Sequence, residues 1–177
     1  MFVEALRSTS DLLASAITIL AAALLLYNLS HGNLRNRVIR SSIVLLFCVT
    51  EVYAMDILVS MAFDQTLAEL WLRLQWLGIA FAPAALFQLS DALLATTGLI
   101  SRKKRRLGIR ITYMTSLIMF WAAAFYDILV GRPTSGPIYH LRPGPIFPIY
   151  VLYVLSASAL SLFNVARARL RCLASSS

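Results

Sequence analysis

Five apolar stretches, each about twenty residues or longer, govern what this chain can become, because a helix of about 20 apolar residues crosses a hydrocarbon core of about 30 Å. They run from Asp11 to Leu29, Ser42 to Phe63, Leu70 to Leu99, Ile111 to Val130 and Phe147 to Val165. The fold class read from them is all-α, an integral membrane bundle of five transmembrane helices forming one domain over residues 1–177. Composition agrees. Hydrophobic residues make up 59% of the 177 and charged residues 14%, against about 45–50% and about 25% in soluble domains. A water-soluble fold of this length could not hide that much apolar surface.

The charges sit in the spacers, and their distribution sets an orientation. Arg35, Arg37 and Arg40 separate the first two spans; Arg102, Lys103, Lys104, Arg105, Arg106 and Arg110 separate the third and fourth; Arg167, Arg169 and Arg171 follow the fifth. These alternate spacers hold twelve of the sixteen basic residues, and only Arg7, Arg73, Arg132 and Arg142 fall on the other side. By the positive-inside rule the N-terminus is outside and the C-terminus cytoplasmic. Five spans give the same parity.

A net charge of +8 also suits nucleic acid, but a nucleic-acid binder presents its basic face on a soluble module. Here the partner implied is the anionic headgroups of the cytoplasmic leaflet, met by the lipid-facing cluster Arg102, Lys103, Lys104, Arg105 and Arg106, at about 1 kcal/mol for each juxtamembrane Lys or Arg. Cys48 and Cys172 do not read as a disulfide or a metal pair. Ala21, Ala22 and Ala23 mimic a signal-peptide cleavage site but lie inside the first span. No phosphate loop, nucleophile elbow, metal motif or facing histidine pair for haem occurs, so no cofactor is implied. His31 and His140 are single loop histidines. The inner spacers are too short for a folded catalytic unit.

Ionisable groups inside a span cost about 2.5–3.5 kcal/mol on insertion scales and mark candidate sites. Glu51 lies near the middle of the second span and Asp56 five residues nearer the outside; Arg73 begins the third span, where Asp56 or Glu69 is in reach. Glu69 and Arg73 are four apart, in the favourable order for a helical ion pair. The functional reading is an outward-opening polar pocket between the second and third spans, made of Glu51, Asp56, Arg73 and Gln75 with Trp76 beside it. Such acids can take a proton, bind a cation or hydrogen-bond a small polar ligand. The structural reading is a neutral Glu51 and an interhelical Asp56–Arg73 pair. Asp91, with Gln88 and Ser90, reads as an anchor for the inner end of its helix.

Pro83 removes a helical bond from the long third span and is expected to kink it. Gly78, Ala82 and Ala85 on that span, and Ala157 and Ser161 on the fifth, are small residues that let helices approach. Trp71, Trp76, Tyr53, Tyr126, Tyr139, Tyr150 and Tyr153 gather toward the outer half, as an interfacial aromatic belt does, with a stacked aromatic cage for a ligand as the alternative. The outer spacer GRPTSGPIYHLRPGPIFP, Gly131 to Pro148, holds five prolines and is expected to be an ordered or semi-ordered loop rather than a helix.

The stretch LRLQWLGIAFAPAALFQL, Leu72 to Leu89, resembles the seven-transmembrane N-terminal region of bacterial sensor histidine kinases and diguanylate cyclases. In that family a basic residue is followed by an aromatic, a glycine and a proline, which correspond to Arg73, Trp76, Gly78 and Pro83. PGPIFPIYVLYVL, Pro143 to Leu155, is similar to the family's Gly-Pro start of its fifth helix. The resemblance implies a receptor region in the bacterial inner membrane, non-catalytic by itself. The family has seven helices followed by a signalling module, whereas this chain stops after the fifth at RARLRCLASSS. The expectation is either a partial receptor or a five-helix relative with another task.

Three functions from different classes follow. The first is a sensory module whose polar pocket takes a small ligand or senses the bilayer. The second is a structural accessory subunit of a larger membrane complex, and the third a small transporter, weakened by the lack of an internal repeat. Small and polar positions such as Ala157, Ser158 and Ser161 suit helix contact better than lipid, so association with itself or another membrane protein is expected.

Overall fold

A computed structural model describes residues 2–98, 103–134 and 140–174. Its order is α1 (Phe2–His31), α2 (Arg37–Ser60), α3 (Gln65–Thr96), α4 (Lys103–Phe125), β1 (Val130–Thr134), β2 (His140–Pro143) and α5 (Phe147–Ala174). All five helices are long and apolar enough to span a bilayer, and the protein is a multi-pass membrane protein. Local chemistry sets several ends. Asn36 caps α2, its side chain accepting from the Val38 N–H at 3.0 Å. Pro148 falls in the first turn of α5, where its missing N–H costs nothing. Hydroxyls within the spans bond back to their own helices, Thr50 to Leu46 O and Ser161 to Ala157 O among them, which satisfies them without water.

Helix α3 is the hub. It packs against α2, α4 and α5 and touches both strands, whereas α1 lies along α2. Over half of its most apolar window is buried, 56% against 11–22% for the other four spans. Small residues make this possible: Ala80, Ala84 and Ala85 are fully covered, so neighbouring backbones come close on several sides. The core gathers Trp76, Ala80, Met119, Ala123, Leu129, Val130 and Tyr150. On α5 the buried positions Tyr150, Ala157, Ser161, Asn164 and Ala168 recur at helical spacing, and Asn164 Nδ2 donates to Ser90 Oγ on α3 at 3.2 Å. Ala157 and Ser161 are therefore taken up inside the chain; they do not form the lateral face expected to need a partner.

Two further expectations are corrected. The fourth helix ends at Phe125, not Val130, and the outer spacer is not simply a loop. Strands β1 and β2 pair antiparallel with an irregularity between Val130 and Pro133. Prolines are tolerated because each strand of a two-stranded ribbon has an edge that needs no donor. The return into α5 is fixed by Gly144 N–H donating to Leu129 O at 2.9 Å. A Cβ on Gly144 would lie 2.3 Å from Ile128 O, so the close approach requires glycine.

Candidate functional site

Residues 48, 51 and 52 share one face of α2, and that face meets α3. Glu51 Oε2 accepts a 2.7 Å hydrogen bond from the backbone N–H of Gly78. A Cβ at position 78 would stand 2.2 Å from that oxygen and 2.6 Å from Cys48 O, so glycine is what lets the carboxyl group reach the α3 backbone. One helical turn earlier, Gln75 Nε2 donates to Val52 O at 3.0 Å, so each helix gives one polar side chain to the other's backbone. Glu51 Oε1 is buried with no hydrogen-bond partner. Leaving such an atom unmatched costs about 1–3 kcal/mol. Glu51 also lines a cavity of about 430 Å³ together with Leu25, Thr50, Met55 and Leu77. Across the α2–α3 seam, an apolar cavity of about 380 Å³ is lined by Cys48, Val52, Ile79, Pro83 and Tyr150.

Pro83 cannot donate to the carbonyl four residues back, that of Ile79. The Tyr150 hydroxyl on α5 fills that vacancy at 2.8 Å, and α3 continues through the proline as one helix. Trp76 braces the tyrosine edge-on, with ring centroids 5.0 Å apart, and meets Phe147 at 6.5 Å. Trp76 and Tyr150 are thus core residues rather than interfacial ones. Tyr153 also turns inward, its hydroxyl 2.9 Å from Ser116 Oγ and bonded to Thr112 O at 3.1 Å on α4.

Arg73 belongs to a different cluster. Its guanidinium bonds Glu69 Oε1 at 2.9 Å, Ala123 O at 3.0 Å and Asp127 Oδ1 at 2.6 Å. The expected Glu69–Arg73 pair is present, and the cation closes the C-terminal end of α4, where free carbonyls favour positive charge. The expected Asp56–Arg73 pair is not formed: Asp56 is exposed. Helical angle explains this. Five residues at about 100° each turn Asp56 about 140° from Glu51, and Arg73 about 140° from Gly78, while Gln75 stays within about 60° of Gly78. The single pocket of Glu51, Asp56, Arg73 and Gln75 therefore separates into a seam site with Glu51, Gln75 and Gly78, and an end clamp on Arg73. Asp127 lies outside the residues the sequence singles out; its sign there is an acid near the outer end of the stretch Ile111 to Val130, at the same membrane end as Arg73.

At the opposite end Asp91 does anchor its helix, through Arg105 Nη1 at 3.1 Å. Arg105 is thereby turned inward and is not a lipid-facing member of the basic cluster. Lys103, Lys104 and Arg106 are exposed, and Arg102 lies outside the described residues. Gln88 accepts from the Tyr113 hydroxyl, tying α3 to α4. Among the described residues no group of His, Cys, Asp and Glu is placed to hold a metal ion.

No curated protein and no solved structure matches the chain. A model of the family described as the N-terminal 7TM region of histidine kinase matches residues 12–175, almost the whole chain, and the chain belongs to that family.

Proposed function

We propose that this chain is the membrane-embedded input region of a bacterial signalling receptor, with its N-terminus outside, its C-terminus cytoplasmic, and no catalysis of its own. The observation that carries the reading is the Glu51–Gly78 contact: a carboxyl group inside a span, docked on a backbone N–H of the hub helix, with its second oxygen unpaired. That oxygen is the point of attack for a stimulus. A ligand donor, a cation or a proton that satisfies it changes the balance of contacts between α2 and α3, and the shift is set by the stimulus's differential affinity for the two arrangements. Helix α3 packs on α2, α4 and α5, so a displacement at the seam reaches all three.

The test joins the chain's C-terminal helix to a reporter kinase module and follows output while external acidity, cations and bilayer thickness are varied. Glu51→Gln and Gly78→Ala are expected to fix the output in one state. An output that responds to none of these conditions and is unaltered by both variants would overturn the sensory reading. It would favour an accessory role, which mass measurement in mild detergent then examines through association with a second membrane protein or another copy.

A further inference from the structure

The end of the bundle opposite the β-hairpin holds a cavity of a different character from those at the seam. It has a volume of about 330 Å³, and its wall includes Arg37, Arg40, Gln88, Asp91, Arg106 and Arg110. Arg37 and Arg40 are three apart in the first turn of α2, and Arg106 and Arg110 are four apart near the start of α4. Each pair therefore stands on one face of its helix. All four are exposed, and none has a side-chain hydrogen-bond or ion-pair partner among the described residues.

The fold does not use these charges. Its polar ties at this end are made by other groups: Asp91 with Arg105, Gln88 with Tyr113, and Ser90 with Asn164. Asp91 is the one carboxylate in the cavity wall, and Arg105, which is not part of that wall, already holds it. Four guanidinium groups are left around one cavity. The neighbouring Lys103 and Lys104 are not among its lining residues, so the wall is selectively arginine, the side chain whose planar fork matches phosphate oxygens in bidentate fashion. Both α2 and α4 begin at this end, and the positive ends of their dipoles add to the same field. The volume lies near the lower limit of small-molecule sites, about 300 Å³. That is room for a headgroup or a small anion, not for a folded segment.

We propose that this cavity binds a phosphate-bearing anion through Arg37, Arg40, Arg106 and Arg110, bridging α2 and α4 across the end of α3. The site is independent of the sensory reading of Glu51. The phosphate comes either from a phosphomonoester lipid headgroup or from a soluble phosphate compound, and the two sources separate in one experiment. The full chain is placed in phosphatidylcholine nanodiscs, and thermal unfolding is followed by tryptophan fluorescence. One arm adds a minor fraction of phosphatidic acid to the bilayer; the other adds millimolar pyrophosphate to the buffer. A ligand that binds the folded state raises the midpoint. A rise in the first arm alone identifies a lipid, and a rise in the second identifies a soluble anion. In either case the Arg40→Gln, Arg110→Gln double variant is expected to need about tenfold more ligand, or more, for the same shift, while Lys103→Gln, Lys104→Gln keeps it. Should the glutamine pair fail to assemble, Arg40→Lys with Arg110→Lys keeps the charge, removes the fork and is expected to weaken the response. No shift in either arm overturns the proposal, as does a shift that the arginine variants retain or that the lysine variant loses equally.

Discussion

The Tyr150 hydroxyl donates at 2.8 Å to Ile79 O, the acceptor that Pro83 leaves without its helical donor. A proline inside a spanning helix is thus balanced by a side chain from another helix, and the two residues are predicted to be energetically coupled. Tyr150→Phe keeps the ring against Trp76 and strands the carbonyl, at a cost of about 1–3 kcal/mol. Pro83→Ala restores the internal donor, so the double variant is expected to lose less stability than Tyr150→Phe alone. Unfolding in detergent measures all three, and strictly additive losses would show that the hydroxyl does not serve the proline's carbonyl.

At the seam, Gly78→Ala places a methyl 2.2 Å from Glu51 Oε2 and 2.6 Å from Cys48 O. Overpacking of this kind costs about 1–3 kcal/mol. Removing the carboxyl as well, as in Glu51→Ala with Gly78→Ala, relieves one of those clashes and leaves the backbone one, so rescue is expected to be partial. Full rescue would mean that α2 and α3 are less closely apposed than described.

Glu51→Gln keeps an acceptor for the Gly78 N–H, whereas Glu51→Leu removes it. The glutamine variant is therefore expected to be folded and the leucine variant less stable, with the difference read by thermal unfolding in nanodiscs. Equal stability of the two would remove the hydrogen bond as a determinant of the seam.

The clamp makes a graded prediction. Arg73→Leu loses two carboxylate contacts and the α4 carbonyl together, and hydrogen bonds to charged groups contribute about 1.5–3 kcal/mol each. Asp127→Asn is expected to cost much less, because the Asp127 side chain is 54% exposed and exposed pairs are worth about 0–1 kcal/mol. Asp56→Leu is expected to be neutral within about 0.5 kcal/mol. The ranking is read from folded yield, and an Asp56 effect matching that of Arg73 would restore the discarded pair.

Orientation is tested by reporters. One fused after Arg106 is expected to behave as cytoplasmic, and one inserted within residues 135–139 as extracytoplasmic, from the concentration of basic residues in alternate spacers. The reverse pattern would invert the topology.

The five spans were legible because hydropathy reports depth, and Glu51 and Gln75 were legible because polar residues inside a span are few, whereas Gly78 reads from the sequence only as one of several small packing positions on α3. Depth does not report azimuth. Asp56 and Arg73 lie close in depth to Glu51 and so fall into one group by hydropathy, although the helical angle sends them elsewhere. The position of Tyr150 near a helix end suits an interfacial belt, and its role appears only when Pro83 on another helix is brought beside it. The hairpin was hidden by proline content, which argues against helix but says nothing about a ribbon whose strands are both edges.

The central place of α3 has a consequence for how the protein is made. Its polar groups find partners in two instalments. Gln75 and Gly78 meet α2, which the ribosome has already delivered. Arg73, already paired with Glu69 on its own helix, gains Asp127 and the Ala123 carbonyl only with α4, and Asp91 and the Ile79 carbonyl wait for Arg105 and Tyr150, which emerge later. Between those moments the least apolar of the first three spans, with a mean hydropathy of 1.6 against 2.1 and 2.0, holds Arg73 with Glu69 alone beside it and Asp91 without Arg105. Synthesis of α4 and α5 is therefore the step that completes the polar contacts of α3 within the bilayer.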